Sequence, residues 1–408
     1  MDTTCSRAFT KIGVRLHSVL IYAFCRLEFS WQDQHPAPPD DAQTFNDMSY
    51  APDTEELRAR AMGDLRIGLP IVLSSDDASL AMLSTESASD ERIAAAIGQG
   101  DAALVLTERR ASVLKARIYD GDIARIRIPR AVKVSWVRAV ADPTTDLDFP
   151  MKGPLTSLRG GSVPLCREGV NLARRARLLP AVLTWPLTAT DSCIRALNLT
   201  HVKVDDGQLT SCEVGLSKAV SASLPTAAHV DSRIHIFRVA DGSEDHCAVI
   251  FGQLTPRHPV LVRLHSACLT GDVLGSLKCD CGKQLQVAMA KFQEAGSGVL
   301  LYLNQEGRGI GLLNKVRAYG LQDQGFDTVE ANHRLGFEDD ERNFSIGASI
   351  LHQLGLTKVR LMTNNPAKQE LLQSQGINVV ERIPLVVSCN PFNESYLAVK
   401  AAKSGHIL

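Results

Sequence analysis

Residues 258–303 read HPVLVRLHSACLTGDVLGSLKCDCGKQLQVAMAKFQEAGSGVLLYL, and this stretch decides the fold of the C-terminal half of the chain. HPVLVRLH at its start predicts a strand, and GVLLYL at its end predicts a second one. Between them, KQLQVAMAKFQEAG has the apolar spacing of an amphipathic helix that ends at Gly296. A strand, a helix and another strand in this order are typical of an α/β domain, which we expect to begin near Ile234.

The same alternation continues towards both termini. On the C-terminal side, GLLNKVRAYGLQDQG predicts a helix capped by Gly325, KVRLMT a strand, and NPAKQELLQSQG a helix with Pro366 in its first turn. On the N-terminal side, EELRARAMGDLRIG, LPIVLSS, ERIAAAIGQG, AALVLT and ARIRIP predict helices and strands of another α/β domain. We therefore expect the α/β class and two domains, residues 56–190 and 234–408, with 191–233 as a connecting segment.

Length and composition exclude several classes of protein. At about 150 residues per domain, 408 residues are enough for two or three domains. The 45% of hydrophobic and 22% of charged residues exclude a disordered or fibrous chain. With 44 Lys and Arg against 45 Asp and Glu, the formal net charge is −1, which lacks the basic excess of a dedicated nucleic-acid binder. We expect no nucleic-acid partner, and any polyanion should bind at a local site.

The first 55 residues predict no folded domain. Their longest apolar stretch, residues 16–25, is too short to span a bilayer, and residues 31–55 are rich in Pro, Asp and Gln, as linkers are. We interpret residues 1–55 as a disordered leader and linker, or as an over-extended start, because Met48 directly precedes a plausible domain opening. We expect a cytoplasmic protein without membrane contact.

Three of the ten cysteines fall within residues 268–281, at Cys268, Cys279 and Cys281. Thiolates are soft ligands that favour zinc, and three of them leave one tetrahedral position open for a water whose pKa the metal lowers. The alternative is a closed structural zinc site with a fourth ligand, such as His265 or Cys247. Structural sites usually use C-x2-C spacing, whereas this spacing is C-x10-C-x-C, so the pattern favours a catalytic zinc site.

Two glycine- or asparagine-containing turns between a strand and a helix are candidate anion sites. In residues 304–311, NQEGRGIG, the glycines allow backbone N–H groups to approach an anion, and Arg308 adds a charged fork. In residues 363–368, TNNPAK, Lys368 opposes the helix dipole, which an anion would explain. The alternatives are a plain tight turn and a capped surface helix with a solvated lysine.

The acidic run Glu338–Arg342, EDDER, is the last candidate element of a site. Such a run is usually a solvated loop, but it could present Asp340 as a base and Arg342 as a partner for a phosphoryl group. Tyr319, on the helix after the glycine-rich turn, is either a packing aromatic or a hydroxyl donor into the same cleft. Spacing alone does not decide between these interpretations.

The order of these motifs resembles that of the GTP cyclohydrolase II family. HSACLTGDVLGSLKCDCG is followed by NQEGRGIGLLNKVRAYGLQDQG, then by DTVEANHRLGFEDDERNF and LMTNNPAK, and the resemblance runs from about residue 235 to the C-terminus. It implies the hydrolysis of GTP to 2,5-diamino-6-(5-phosphoribosylamino)pyrimidin-4(3H)-one, formate and pyrophosphate, the first step of riboflavin biosynthesis. It also implies one Zn²⁺ per chain, Mg²⁺ with the GTP phosphates, and a homodimer.

The resemblance assigns roles residue by residue. Asp340 matches the proton acceptor, Arg342 the residue assigned as nucleophile, and Tyr319 a supporting active-site residue. Ala267 stands where the family often has Glu, and Asn304 where Arg is common, which puts affinity rather than activity in doubt. The zinc ligands are Cys268, Cys279 and Cys281, and the GTP contacts are Arg263, Leu264, His265, Ser266, Ala267, Gln284, Glu306, Gly307, Arg308, Thr328, Thr363 and Lys368.

The N-terminal half, residues 56–190, resembles a degenerate 3,4-dihydroxy-2-butanone 4-phosphate synthase. RAMGDLRIGLPIVLSSDD matches the start of that domain, and VNLARRARLLPAVLTWPL matches a stretch near its end. The family's acidic loop, DDEDRENE, retains only Asp76 and Asp77 here, and Leu165 stands where the family has a catalytic histidine. The resemblance therefore implies the fold and argues against the activity.

Two other functions compete with GTP hydrolysis. A non-catalytic GTP-binding or regulatory protein could keep the same fold, but intact Cys268, Cys279, Cys281, Asp340 and Arg342 argue against it. A zinc-containing nucleic-acid module is disfavoured by the near-zero net charge and the absence of basic runs.

Overall fold

Two β-sheets with their helices form the computed structural model of the protein, which describes residues 50–129, 131–187, 196–204, 215–255, 258–385, 387 and 389–394. Both sheets belong to one compact unit, Asp53–Leu408. Residues 1–49 of the leader predicted from the sequence lie outside the described residues. Within the described part of the chain, no helix is long and apolar enough to cross a bilayer.

The N-terminal half contains a six-stranded sheet of order β4-β3-β5-β2-β1-β6. Its neighbouring strands are antiparallel except for β1 and β6, which run parallel. The strands are β1 Ile71–Ser74, β2 Ser79–Ser84, β3 Ala103–Thr107, β4 Ile123–Arg127, β5 Ala181–Pro186 and β6 His201–Lys203. The helices are α1 Thr54–Arg66, α2 Asp90–Ile97, α3 Glu108–Val113, α4 Val134–Ala141 and α5 Val163–Arg175, with a 3₁₀ turn at Pro143–Thr145.

The C-terminal half contains a seven-stranded mixed sheet of order β13-β12-β10-β11-β9-β8-β7. The strands are β7 Leu216–Ser223, β8 Ser232–Val239, β9 His246–Phe251, β10 Val260–Ser266, β11 Gly298–Leu303, β12 Lys358–Met362 and β13 Asn378–Ile383. The helices are α6 Cys281–Ala295, α7 Gly311–Asp323, α8 Thr328–Leu335, α9 Ser345–Gln353 and α10 Pro366–Ser374. A π turn spans Leu269–Val273 and a 3₁₀ turn Glu306–Gly309.

Helices cover both faces of the central strands β10 and β11, which explains why these strands are buried along nearly their whole length. On one face, Val262, Leu264 and Leu301 pack with Ile350 and Leu351 of α9. On the other face, the core is formed by a second group: Leu261, Ala288, Phe292, Leu300 and Met362. Helix α6 ends at Gly296 with a left-handed φ of +68°, as its sequence predicts. The expected α/β class is confirmed.

The segment 191–233 contributes a strand to each sheet. β6 pairs with β1 of the N-terminal sheet, and β7 pairs with β8 at the edge of the C-terminal sheet. The segment predicted to connect the two halves therefore also extends both sheets, while residues 188–195 and 205–214 lie outside the described part of the chain.

Candidate active site

The candidate site lies where three neighbouring parallel strands end. β12, β10 and β11 are adjacent and parallel, so their carboxyl ends and the loops that follow meet at one edge of the sheet. Ligands of α/β proteins bind at such edges. A cleft with about 1120 Å³ of open space, including its mouth, lies there. Its lining includes most residues singled out from the sequence, namely Arg263, His265, Ser266, Ala267, Cys268, Cys279, Cys281, Gln284, Glu306, Gly307, Arg308, Tyr319, Thr328, Arg342, Thr363 and Lys368.

The three clustered cysteines converge at the floor of this cleft. Their sulfur atoms lie within 4.8 Å of one another, and those of Cys268 and Cys279 are 3.8 Å apart. Cys268 follows β10, and Cys281 is the first residue of α6, so a strand end and a helix start fix the ligands from two sides. Four sulfurs at 2.3 Å around a tetrahedral ion would be about 3.8 Å apart, so the spacing fits zinc.

Gly271 provides the space for this cluster. A Cβ atom at Gly271 would lie 2.8 Å from the sulfur of Cys279 and 3.1 Å from that of Cys268. The backbone therefore approaches the sulfurs more closely than any other residue type would allow. Among the described residues, the metal-competent cluster contains only the three cysteines, and neither His265 nor Cys247 joins it. The described residues therefore offer three ligands at this cluster, as the catalytic interpretation of the spacing expects.

His265 is instead part of a buried polar group that shapes the cysteine loop. Its Nε2 lies 3.0 and 3.1 Å from the two carboxylate oxygens of Asp272. Asp272 also accepts hydrogen bonds from the Tyr302 hydroxyl at 3.0 Å and from the backbone N–H of Cys268 at 3.1 Å. Burial lowers the pKa of His265, which favours the neutral ring. Asp272 thus fixes the backbone of the first cysteine, a role that the sequence did not predict.

Lys315 is the second site residue that the sequence did not predict. It lies on α7, and its Nζ donates to the sulfur of Cys268 at 3.1 Å, to Thr270 Oγ1 at 2.7 Å and to Glu306 Oε1 at 2.7 Å. Burial lowers its pKa, but the contacts with Glu306 and Cys268 outweigh burial, and the net shift is upward. Lys315 therefore stays protonated and connects the cysteine loop to the glycine-rich turn.

The glycine-rich turn bends through left-handed backbone at Gly307 and Arg308, with φ values of +64° and +60°. Glu306 accepts hydrogen bonds from the backbone N–H of Leu269 at 2.7 Å and of Gly307 at 3.2 Å. Nη1 of Arg308 donates to the carbonyl of Asp339 at 3.0 Å. The turn therefore joins the cysteine loop to the acidic run, and Glu306 is an internal acceptor rather than a solvated acid.

The acidic run is partly built into the cleft. Nε and Nη2 of Arg342 donate to the two carboxylate oxygens of Asp340 at 2.8 and 2.5 Å, and Nη1 donates to Ser266 Oγ at 3.3 Å. Burial raises the pKa of Asp340, but its hydrogen bonds with Arg342 outweigh burial, so the net shift is downward. Arg342 lines the cleft, whereas Asp340 does not line it and orients the Arg342 guanidinium through these hydrogen bonds.

Arg263 and Lys368 are two further buried basic residues that line the cleft. Nη1 of Arg263 donates to the carbonyl of Met362 at 2.9 Å and Nη2 to Gln284 Oε1 at 2.6 Å. Burial lowers the pKa of Arg263 to about 10. Nζ of Lys368 donates to the carbonyl of Leu264 at 3.2 Å. Lys368 is only 6% exposed, which excludes the surface lysine considered from the sequence.

Four further predicted residues occupy distinct places. The side chain of Leu264 packs in the core, so only its backbone is available to the cleft. Thr328 begins α8 and its hydroxyl accepts from Gln322 at 2.9 Å. The Tyr319 hydroxyl lies 3.3 Å from Thr270 Oγ1, and burial raises its pKa. The Thr363 hydroxyl accepts from the backbone N–H of Asn365 at 3.0 Å.

The expected synthase positions of the N-terminal half do not form a comparable cluster. Asp76 is 86% exposed at its side chain and pairs with Lys203 at 2.9 Å. Leu165 is fully buried in a core that includes Met82 and Leu172. The correspondence of Leu165 to the family's catalytic histidine stays a prediction, and the exposed Asp76 is not part of a formed acidic site.

Comparison with known proteins agrees with this geometry. The family model described as GTP cyclohydrolase II matches residues 217–384. A protein named GTP cyclohydrolase-2 from Azospirillum brasilense is 42% identical over 365 residues, which cover 85% of this chain and 93% of that protein. The chain belongs to the GTP cyclohydrolase II family.

Other members of the GTP cyclohydrolase II family match about half of this chain. Proteins named GTP cyclohydrolase-2 from Cronobacter sakazakii and Salmonella typhimurium are 56% and 54% identical over 193 residues, 47% of this chain and 98% of each of them. A solved two-domain 3,4-dihydroxy-2-butanone 4-phosphate synthase from A. baumannii covers 83% of this chain at 16% identity and a TM-score of 0.29. These last values support no argument about the N-terminal half, whose likeness to a synthase stays a prediction.

Proposed function

We propose that the protein hydrolyses GTP to 2,5-diamino-6-(5-phosphoribosylamino)pyrimidin-4(3H)-one, formate and pyrophosphate, as the first step of riboflavin biosynthesis. The observation that carries this proposal is a cluster of three thiolates in the same cleft as Arg342. The first group suits hydrolytic attack on a ring carbon, and the second suits a phosphoryl group. Membership of the GTP cyclohydrolase II family supports the substrate.

Zinc would be held by Cys268, Cys279 and Cys281, whose sulfurs fit a tetrahedral ion. The chemistry that such an ion supplies is the activation of water for attack on the carbon that leaves as formate. Asp272 and Lys315 act on the ligands themselves, because one fixes the Cys268 backbone and the other donates to its sulfur. The expected site therefore includes partners that orient its ligands.

The charge of the cleft suits the triphosphate with its Mg²⁺. Six cationic side chains line the cleft against one carboxylate, that of Glu306. The six are Arg263, Lys278, Arg308, Lys315, Arg342 and Lys368. Charge that develops on the leaving pyrophosphate is stabilised best by cations that are already in place.

Arg342 is better suited to electrostatic stabilisation than to covalent attack. A guanidinium is protonated at all ordinary pH values, and the two-point contact with Asp340 reinforces that state. The same contact lowers the pKa of Asp340, so its carboxylate stays ionised but is a weaker base than a free aspartate. We propose that Asp340 is the proton acceptor and the positioning partner of Arg342, and that Arg342 stabilises charge on the phosphates.

Purified full-length protein incubated with GTP and Mg²⁺ tests the function. We expect formate, pyrophosphate and the diaminopyrimidine in equal amounts, and about one zinc per chain by elemental analysis. Cys279→Ser should lose both the metal and formate release, because two thiolates and a hydroxyl bind zinc poorly. GTP binding without any formate would instead favour the regulatory protein, and a fully active metal-free protein would exclude the zinc mechanism.

A further inference from the structure

The N-terminal half touches the loop that carries Asp340 and Arg342. We call residues Gly336–Arg342 the acid loop. Nε and Nη2 of Arg109, on α3, both donate to Glu338 Oε2, at 2.9 and 2.8 Å. Nε of Arg174, on α5, lies 3.7 Å from Glu341 Oε1. These two contacts lie on either side of the Asp340 position in the chain.

The start of the acid loop is fixed more tightly. Gly336 ends α8 with a φ of +90°, and its carbonyl accepts a hydrogen bond from the buried hydroxyl of Thr107 at 2.8 Å. A Cβ atom on Gly336 would lie 2.8 Å from that hydroxyl and 3.0 Å from Cγ of Pro180. Since Thr107 also caps α3, the end of one helix in the C-terminal half rests on the beginning of another in the N-terminal half.

The other side of the acid loop is bound to the glycine-rich turn. The backbone N–H of Glu341 donates to the carbonyl of Arg308 at 2.9 Å, and Nη1 of Arg308 donates to the carbonyl of Asp339 at 3.0 Å. The acid loop therefore lies between the nucleotide-binding turn and the N-terminal half.

We infer that the N-terminal half is a positioning element for the acid loop, and that Arg109, Thr107 and Arg174 are positioning residues for Arg342. The inference depends on the proposed function, because it assumes that Arg342 acts in turnover. Besides its fork with Asp340, the Arg342 guanidinium donates to Ser266 Oγ at 3.3 Å and lies 4.7 Å from the centre of the Phe344 ring. Small displacements of such a group cost much of its catalytic effect.

Reversal of the Arg109–Glu338 charges tests the inference in the full-length protein. Exposed ion pairs are weak, so Arg109→Glu should lower kcat about three- to tenfold and change the KM for GTP less than about twofold. The double variant Arg109→Glu with Glu338→Arg should regain at least about half of the wild-type kcat. If Arg109→Glu does not fold, Arg109→Gln replaces it, and the expected loss of kcat is then smaller.

Arg167→Glu is the matched control in the same half. Arg167 makes the same type of fork with Asp122, at 2.7 to 3.0 Å, and the side-chain exposures are 35% and 56% against 37% and 48% for Arg109 and Glu338. Its pair lies outside the acid loop, so kcat should stay within about twofold of wild type. Equal losses in Arg167→Glu and Arg109→Glu, or no recovery in the double variant, would overturn the inference.

Hydrogen exchange separates this inference from the proposed function. Amides of the acid loop should exchange faster in Arg109→Glu than in wild type and return to the wild-type rate in the double variant. This measurement needs no GTP turnover, so a protein that released no formate would refute the function and leave the positioning test intact. Unchanged exchange in Arg109→Glu would refute the positioning role even in an active enzyme.

Discussion

Replacement of Lys315 by Met should weaken zinc binding without unfolding the protein. Nζ of Lys315 lies 3.1 Å from the sulfur of Cys268, and the side chain is only slightly exposed. Zinc with three thiolates carries a net charge of −1, which a fixed ammonium offsets. A hydrogen bond to a charged group contributes about 1.5–3 kcal/mol, which corresponds to a loss of about 10- to 150-fold in zinc affinity.

Lys315→Met should lower the free energy of unfolding less than the loss of one partner of a buried ion pair usually does. Such a break costs about 3–5 kcal/mol, since the remaining charge is left without a partner. Glu306, however, keeps the backbone N–H groups of Leu269 and Gly307, at 2.7 and 3.2 Å. We therefore expect a loss of about 2 kcal/mol in the free energy of unfolding.

Competition with a fluorescent chelator measures the zinc affinity, and urea unfolding followed by circular dichroism measures the stability. Lys278→Met is the control, because Lys278 precedes Cys279 and its Nζ pairs with Asp323 at 2.6 Å. It should change zinc affinity less than about threefold. The pKa of Lys315 is raised, so its charge is constant and the affinity ratio of variant to wild type should not change between about pH 6 and 9. Wild-type zinc affinity in Lys315→Met, or an equal loss in Lys278→Met, would refute the reasoning.

Three further predictions concern the rest of the molecule. Arg342→Ala should abolish formate release and leave binding of a GTP analogue largely intact, whereas Lys368→Ala should mainly raise the KM; the same pattern in both would contradict this division. Burial raises the pKa of Asp146, but Arg110 and Lys152 outweigh burial, so the net shift is downward. The ionised Asp146 carboxylate stabilises the fold above its unfolded-state pKa of about 3.9. This stabilisation is lost as the pH falls through its lower pKa in the folded state. Asp146→Asn should thus lose about 3 kcal/mol in urea unfolding at pH 7, and the deficit should shrink below about pH 4; a deficit independent of pH would contradict it. Residues 56–190 should release no formate from ribulose 5-phosphate with Mg²⁺ in the absence of GTP, and release that is lost in Asp76→Ala would contradict this.

The sequence predicts those elements of the fold whose pattern is local. β10, α6 and β11 each bury apolar residues at a regular spacing, so periodicity indicates them directly. β7 is an edge strand that is exposed along most of its eight residues, and β6 has only three residues. Neither strand has a hydrophobic period, so the segment 191–233 gave no signal of the pairings that it makes.

The residues of the site also divide into those that a local sequence pattern indicates and those that only the fold brings together. The three cysteines are close in sequence, and their spacing was enough to predict a metal site. Lys315 and Cys268 are 47 residues apart, and Tyr302 and Asp272 are 30 apart, so only the fold brings them together. One signal was available for Lys315: it precedes Tyr319 by four residues, which places both on one face of α7.

A net charge of −1 says little about the cleft, because charge is neutralised unevenly across the molecule. Lys315 is paired with Glu306, so its charge holds the site together. Arg263 and Arg308 are oriented by the carbonyls of Met362 and Asp339, and neither has a carboxylate within 4.0 Å among the described residues. A carbonyl fixes the direction of a guanidinium without cancelling its charge, so these two arginines keep a positive field for an anion. The net charge of the whole chain therefore excludes a broad nucleic-acid surface but not a buried site for a polyanion. A local triphosphate site is consistent with the net charge of −1 and with the two unneutralised arginines.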